Sequence, residues 1–139
     1  GAEKFQFDDF VHESALDDYK YIASSYWPGP LTIIVPISEK RRSFSTSSNY
    51  TIGLRIPNSK MAKLLLKKSG PLLTSSANIS GMPTATNAKE ISISLPNVNI
   101  LGPVPWENCS GNASTIISWA NHGKWKIIRE GDISITGIN

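Results

Sequence analysis

The chain alternates between two spacings of apolar residues. Leu16, Tyr19, Ile22, Ala23 and Tyr26 recur at helical spacing and predict a helix over about residues 15–26, with Ser14 as its N-cap. Trp27-Pro28-Gly29-Pro30 then forces a rigid turn, because two prolines and a glycine cannot continue a helix. Leu31-Thr32-Ile33-Ile34-Val35-Pro36 follows as a β-branched run, read as a buried strand. Thr51-Ile52-Gly53-Leu54-Arg55-Ile56-Pro57 reads as a second strand carrying one arginine among apolar neighbours. Before these elements, Phe5, Phe7 and Phe10 alternate with Asp8 and Asp9 and suggest a short strand or the tail of an element.

Beyond the second strand, Asn58 caps a predicted helix over about residues 59–68. Met61, Leu64, Leu65 and the stem of Lys68 form its inner face, and Gly70 its C-cap. Pro71-Leu72-Leu73 reads as a short buried strand, followed at once by the polar, small-residue loop Thr74-Ser75-Ser76-Ala77-Asn78-Ile79-Ser80-Gly81. Thr84 or Thr86 is placed to cap a short helix through Ile91, and Val98-Asn99-Ile100-Leu101 to form a strand. Two further strands, from Ser114 to Trp119 and from Trp125 to Arg129, flank the turn Asn121-His122-Gly123-Lys124 as a hairpin. Helices alternating with strands and ending in an antiparallel hairpin predict a mixed sheet covered by helices, an α/β or α+β fold.

Composition narrows the class. A chain of 139 residues with 40% hydrophobic and 18% charged positions suits one globular domain. The net charge of +3 permits an anionic partner without demanding one. Cys109 is the single cysteine, so no intrachain disulfide can form, and a reducing, cytoplasmic location is expected. No apolar run is long enough to cross a bilayer, and no signal peptide opens the chain, so no membrane partner is expected.

Several chemistries are missing. His12, His122 and Cys109 cannot build a zinc site, and there is neither a Walker A sequence nor a G-x-G-x-x-G fingerprint. His122 sits in a turn and is expected to be exposed. The pairs Asp8/Asp9 and Asp17/Asp18 are read as solvated, because adjacent positions on a helix do not face one site. Lys40-Arg41-Arg42 reads as a solvated turn, with a phosphate contact as the alternative. What remains is a set of strand ends rich in hydroxyls beside arginines: Thr51 and Arg55, Thr74 to Asn78, Ser114 and Thr115, and Arg129. No general base or nucleophile stands among them. Such a set suits an anionic ligand, with catalysis by positioning and charge stabilisation.

Five motifs occur in a fixed order: Trp27-Pro28-Gly29-Pro30-Leu31-Thr32, Gly53-Leu54-Arg55-Ile56-Pro57, Ser75-Ser76-Ala77-Asn78-Ile79-Ser80-Gly81, Ser114-Thr115-Ile116 and Arg129-Glu130-Gly131. In this order they resemble the YrdC/TsaC family, the threonylcarbamoyl-AMP synthases, over most of the chain. The resemblance implies a single YrdC-like domain over residues 1–139, with a twisted mixed sheet flanked by helices and a concave, positively charged cleft. It implies a nucleotidyltransferase that makes threonylcarbamoyl-adenylate and pyrophosphate from L-threonine, bicarbonate and ATP, for the N6-threonylcarbamoyladenosine modification of tRNA. Magnesium is expected to accompany ATP. The expected partners are tRNA or double-stranded RNA and the proteins that carry out the later transfer. Carried over residue by residue, the resemblance puts Arg55, Thr74 and Ser114 at the threonine site and Thr51, Ser76, Asn78, Thr84 and Arg129 at the ATP site.

One departure matters. Family members begin with a proline-threonine-x-x-x-tyrosine-glycine-leucine stretch and a lysine-x-arginine motif that help hold ATP. Neither occurs in these 139 residues, so the domain is expected to be N-terminally incomplete. Two alternatives follow. One is a non-catalytic relative that binds nucleotide or RNA. The other is the carbamoyltransferase of hydrogenase maturation, a long multidomain type with zinc-finger-like cysteines that this chain does not have.

Overall fold

The first predicted strand forms with the expected bounds, buried on one face and half-buried on the other. In the computed structural model, which describes residues 7–107 and 110–135, β1 (Leu31–Pro36) alternates buried and half-buried positions along its whole length. Leu31, Ile33 and Val35 are fully buried, each stabilising the fold by about 2 kcal/mol through lost apolar surface. Phe5 and Cys109 lie outside the described residues.

β1 is central in a four-stranded sheet of order β2-β1-β3-β4, with β2 (Thr51–Leu54), β3 (Thr115–Asn121) and β4 (Lys124–Arg129). It pairs antiparallel with β2 and parallel with β3, and β3 pairs antiparallel with β4, so the sheet is mixed as expected. The hairpin turns where predicted, with Gly123 at φ +70°.

Helix α1 (Leu16–Tyr26) lies against one face of the sheet. Ala15, Tyr19 and Ile22 join Leu31, Ile33, Val35, Leu54, Ile117 and Trp125 in one buried cluster. The other face carries the alternate residues Thr32, Ile34, Ile116 and Ser118, all half-buried. Gly29 is required by close approach, since a Cβ there would sit 2.5 Å from the Tyr26 carbonyl oxygen. That packing lets the Gly29 N–H donate to the Ile56 carbonyl at 2.9 Å and docks the Trp-Pro-Gly-Pro turn on the chain leaving β2.

Several local expectations are corrected. Ser14 does not cap the first helix. α1 has Ala15 at its N-cap with no side-chain bond, and His12 caps the 3-10 turn (Glu13–Ala15) that leads into it, its Nδ1 accepting from the Ser14 N–H at 3.2 Å. Residues 8–10 form another 3-10 turn, and only Val11 bridges to Ile37, so no strand forms there among the described residues. Lys40-Arg41-Arg42 lies in a 3-10 helix (Glu39–Phe44) rather than a free loop.

The acidic pairs are not simply solvated. Arg41 holds Asp9 at 2.6 Å, and Lys20 lies 3.5 Å from Asp8. Asp18 accepts from Trp119 Nε1 at 2.8 Å and from the Gly123 N–H at 2.7 Å, which ties α1 to the hairpin. These bonds reach across 101 and 105 residues of sequence, so local spacing could not announce them.

Two compact units divide the chain: residues 1–68 with 113–139, and residues 69–112. Helix α2 (Lys60–Ser69) ends the first part of the former, with Ser59 as its cap through the Ala62 N–H at 3.2 Å. Its predicted inner face is met only at Met61, which is half-buried: Leu64 and Leu65 are 53% and 41% exposed and Lys68 is exposed, while Ala62 and Leu66 are half-buried. Three consecutive leucines make two stripes equally apolar, and the fold uses the one through Ala62 and Leu66.

The second unit holds one short helix, α3 (Ala88–Ser94), capped by Asn87 rather than by either threonine. Pro71-Leu72-Leu73 and residues 98–101 are irregular, not strands. Leu73 is 79% exposed, and Pro71 has no N–H to offer a ladder.

Candidate anion-binding surface

Sheet register decides which candidate residues meet. β2 runs antiparallel to β1 with Leu54 opposite Ile33, so Arg55 emerges beside the start of β1. β3 starts parallel to β1, and Ser114 lies just before it; β4 ends with Arg129 opposite Ile116. Arg55, Ser114 and Arg129 therefore share one end of the sheet.

Each of the three is held by the backbone. Arg55 Nε donates to the Gly29 carbonyl at 3.3 Å. Burial lowers the Arg55 pKa from its usual value, yet the guanidinium stays charged at neutral pH. Arg129 donates from Nε and Nη2 to the Ser114 carbonyl at 3.0 and 2.8 Å, and its Nη2 lies 3.4 Å from Ser114 Oγ. The Ser114 hydroxyl also meets Thr32 Oγ1 at 3.0 Å. The result is two fixed cations and a paired hydroxyl, a preorganised arrangement for carboxylate or phosphate oxygens.

Thr51 is not part of this cluster. It starts β2 opposite Pro36, about 13 Å along the strand from Arg55. Its hydroxyl donates to Ser47 Oγ at 3.2 Å.

Thr74, Ser76, Asn78 and Thr84 belong to the second unit, on one polar segment. Thr74, Ser76 and Thr84 are exposed, and no side-chain hydrogen bond engages their hydroxyls among the described residues. Asn78 behaves differently. Its amide donates to the Ile79 and Met82 carbonyls at 3.0 and 2.9 Å, and the Ala85 N–H donates to the Ala77 carbonyl at 3.2 Å. Asn78 thus shapes the loop from within, with Gly81 at φ +81° completing the turn. Its Oδ1 is buried without a partner among the described residues.

Two residues have roles the sequence does not show. Thr32 is a strand and motif position with no role of its own in the sequence, and its pairing with Ser114 needs the parallel β1/β3 register. Thr115 belongs to the hydroxyl-rich strand ends, but it is 1% exposed and structural. Its hydroxyl donates to the Ile133 carbonyl at 2.5 Å and accepts from the Gly131 N–H at 3.0 Å.

The second unit also has an open groove of about 670 Å³ lined by Asn87, Lys89, Ser92, Ile100, Val104 and Trp106. It contains none of the predicted site residues. Its polar groups are mostly committed internally: Asn87 caps α3, Ser92 bonds the Ala88 carbonyl and Trp106 bonds the Leu101 carbonyl. Among the described residues, no three His, Cys, Asp or Glu side chains gather into a metal-ligating group, so they do not fit a protein-built magnesium cage. No helix is long and apolar enough to cross a membrane, among the same residues.

A mixed four-stranded sheet with helices, and with arginines and hydroxyls fixed at one end of it, defines an α/β protein. Residues 4–131 match the Sua5/YciO/YrdC family, described as "Telomere recombination", and the chain belongs to that family. It is similar to the threonylcarbamoyl-AMP synthase of Idiomarina loihiensis, 32% identical over 92 residues, covering 65% of this chain and 50% of that protein. It is also similar to the threonylcarbamoyl-AMP synthase of Pyrococcus abyssi, 36% identical over 76 residues, covering 54% of this chain and 22% of that protein. The structure of P. abyssi Sua5 complexed with L-threonine superposes with a TM-score of 0.75 at 27% identity, covering 91% of this chain and 38% of that one. The chain therefore spans at most about half the length of these relatives.

Proposed function

We propose that this domain makes threonylcarbamoyl-adenylate from L-threonine, bicarbonate and ATP, releasing pyrophosphate and water, in service of tRNA modification. The observation that carries the reading is the convergence of Arg55, Ser114 and Arg129 at one end of the sheet, in a family whose similar members bear that activity's name. In the first unit, Arg55 pairs with the threonine carboxylate beside Ser114, and Arg129 meets the nucleotide. In the second unit, taken by itself, Thr74 is a threonine contact, Ser76 and Thr84 are nucleotide contacts, and Asn78 keeps their loop in shape. Thr51 lies about 13 Å from Arg55, a span that suits an extended nucleotide better than a single amino acid.

The chemistry asks for little beyond placement. The threonine amine and bicarbonate form a carbamate with loss of water. A carbamate oxygen then attacks the α-phosphorus, and the bond to the β-phosphate oxygen breaks to release pyrophosphate. Fixed arginines offset the charge that develops on the phosphoryl oxygens. Magnesium enters with ATP, bound largely by its phosphates. Bound tRNA and downstream transfer proteins are the partners this product calls for.

Pyrophosphate release by the purified protein tests the reading. Release is expected only when ATP, threonine and bicarbonate are all present. Salt-sensitive RNA binding with no turnover would instead favour the non-catalytic alternative.

A further inference from the structure

Thr32 stands outside every role assigned so far, yet its hydroxyl touches the Ser114 hydroxyl at 3.0 Å across 82 residues of sequence. A serine hydroxyl has two acceptor sites and one proton. One acceptor site of Ser114 Oγ faces Arg129 Nη2 at 3.4 Å. If Thr32 donates to the other, both are filled and the single Ser114 proton is left for a ligand oxygen. If Ser114 donates to Thr32 instead, it has nothing to give an anion. The arginine supplies an N–H, never an acceptor, so Ser114 cannot spend its proton there, and the proton goes either to Thr32 or to a ligand oxygen.

The surroundings keep Thr32 in place. It sits on β1, and its backbone is paired with Ile116 in the parallel ladder to β3. Gly53 of β2 faces it: a Cβ at Gly53 would lie 3.4 Å from Thr32 Cγ2, so the glycine leaves the methyl group room without displacing the hydroxyl.

We infer that Thr32 is a positioning residue that donates its proton to Ser114 Oγ and so commits the Ser114 hydroxyl as a donor to an oxygen of the amino-acid substrate. The inference rests on the proposed function, because it takes Ser114 as part of the threonine site. Thr32 touches Ser114 rather than the substrate, so its influence passes through that one hydroxyl.

Calorimetric titration of the whole protein with L-threonine, and separately with ATP, separates the two ideas. Thr32→Val keeps the shape and removes the hydroxyl, and it is expected to weaken threonine binding about fivefold to tenfold while leaving ATP affinity unchanged. Thr32→Ser is expected to restore threonine affinity to within about twofold of the unaltered protein. In the double variant Thr32→Val/Ser114→Ala, the loss is expected to equal that of Ser114→Ala alone, because both act through the same group. Thr32→Ala, with less bulk, gives the same readout should the valine disturb the strand. Normal threonine affinity in Thr32→Val, or losses that add in the double variant, overturns the positioning role alone. An unaltered protein that binds ATP but not threonine overturns the proposed function, and this inference with it.

Discussion

The first unit and the hydroxyls of residues 74–84 in the second use polar side chains in opposite ways. In the first, hydroxyls, carboxylates and arginines are tied into the fold: Thr115 to Ile133 and Gly131, Asp18 to the hairpin, Arg41 to Asp9, Arg129 to Ser114. In the second, Thr74, Ser76 and Thr84 are exposed, with no side-chain hydrogen bond among the described residues. Apolar residues divide the same way. The first unit buries Leu31, Ile33 and Val35 of β1 completely, whereas Leu72, Leu73, Ile79 and Met82 of the second are 48 to 79% exposed. The first unit fixes charge, and the second leaves hydroxyls uncommitted. The first can be tested by breaking stability, the second by changing affinity without touching stability.

The largest effect is expected where backbone meets backbone. A Cβ at Gly131 would overlap the Ala113 carbonyl oxygen and lie 2.5 Å from Ser114 C and 2.6 Å from Thr115 N. None of these atoms can move without dragging the start of β3. Gly131→Ala is expected to cost about 3 kcal/mol, read as a lower urea midpoint. It should also weaken ligand binding, because Ser114 lies within the displaced segment. An unchanged midpoint would show that residues 131–133 are not seated on β3, and the rigid half of the contrast would fail.

Asp18 offers a smaller, pH-dependent break. The Trp119 indole N–H, then the Gly123 N–H, hold its carboxyl below the ordinary value of 3.8. A carboxyl depressed on folding stabilises fully above its unfolded pKa and loses that contribution as pH falls through the lower folded value. Stability of the unaltered protein should therefore fall below about pH 4. Asp18→Asn should cost about 1 kcal/mol at neutral pH and flatten that acid limb. His122 adds little, being 84% exposed. Equal acid limbs in both proteins would mean that solvent, not the hairpin, holds the carboxylate.

How much of this was legible depended on distance along the chain. β1 and the hairpin could be read because a β-branched run and turn chemistry are local, and the structure returns them nearly residue for residue. The α1 stripe was equally clear. The α2 face was not, because Leu64-Leu65-Leu66 supports two stripes. Arg55, Ser114 and Arg129 were picked as chemistry-bearing residues, but their shared sheet end follows from register between strands far apart in sequence. The same holds for Asp18, Thr115 and Thr32, whose partners lie 105, 18 and 82 positions away. Residue type announces a capacity; only topology says whether that capacity is spent on the fold or kept for a ligand.

The smallest stability effect belongs to the second unit, and it gives the sharpest contrast. Thr74→Val and Ser76→Ala remove exposed hydroxyls with no internal partner among the described residues. Each is expected to shift stability by less than about 0.5 kcal/mol. Affinity should respond where stability does not: Thr74→Val should weaken threonine binding, and Ser76→Ala ATP binding, by about threefold to tenfold. Urea midpoints and separate titrations with the two ligands check both halves. A lowered midpoint would place these hydroxyls in the fold, like Thr115. Normal affinity for both ligands would remove them from the site and leave binding to the arginine end of the sheet. Loss of one ligand by each variant would show that neighbouring hydroxyls, two positions apart on an exposed segment, serve different substrates.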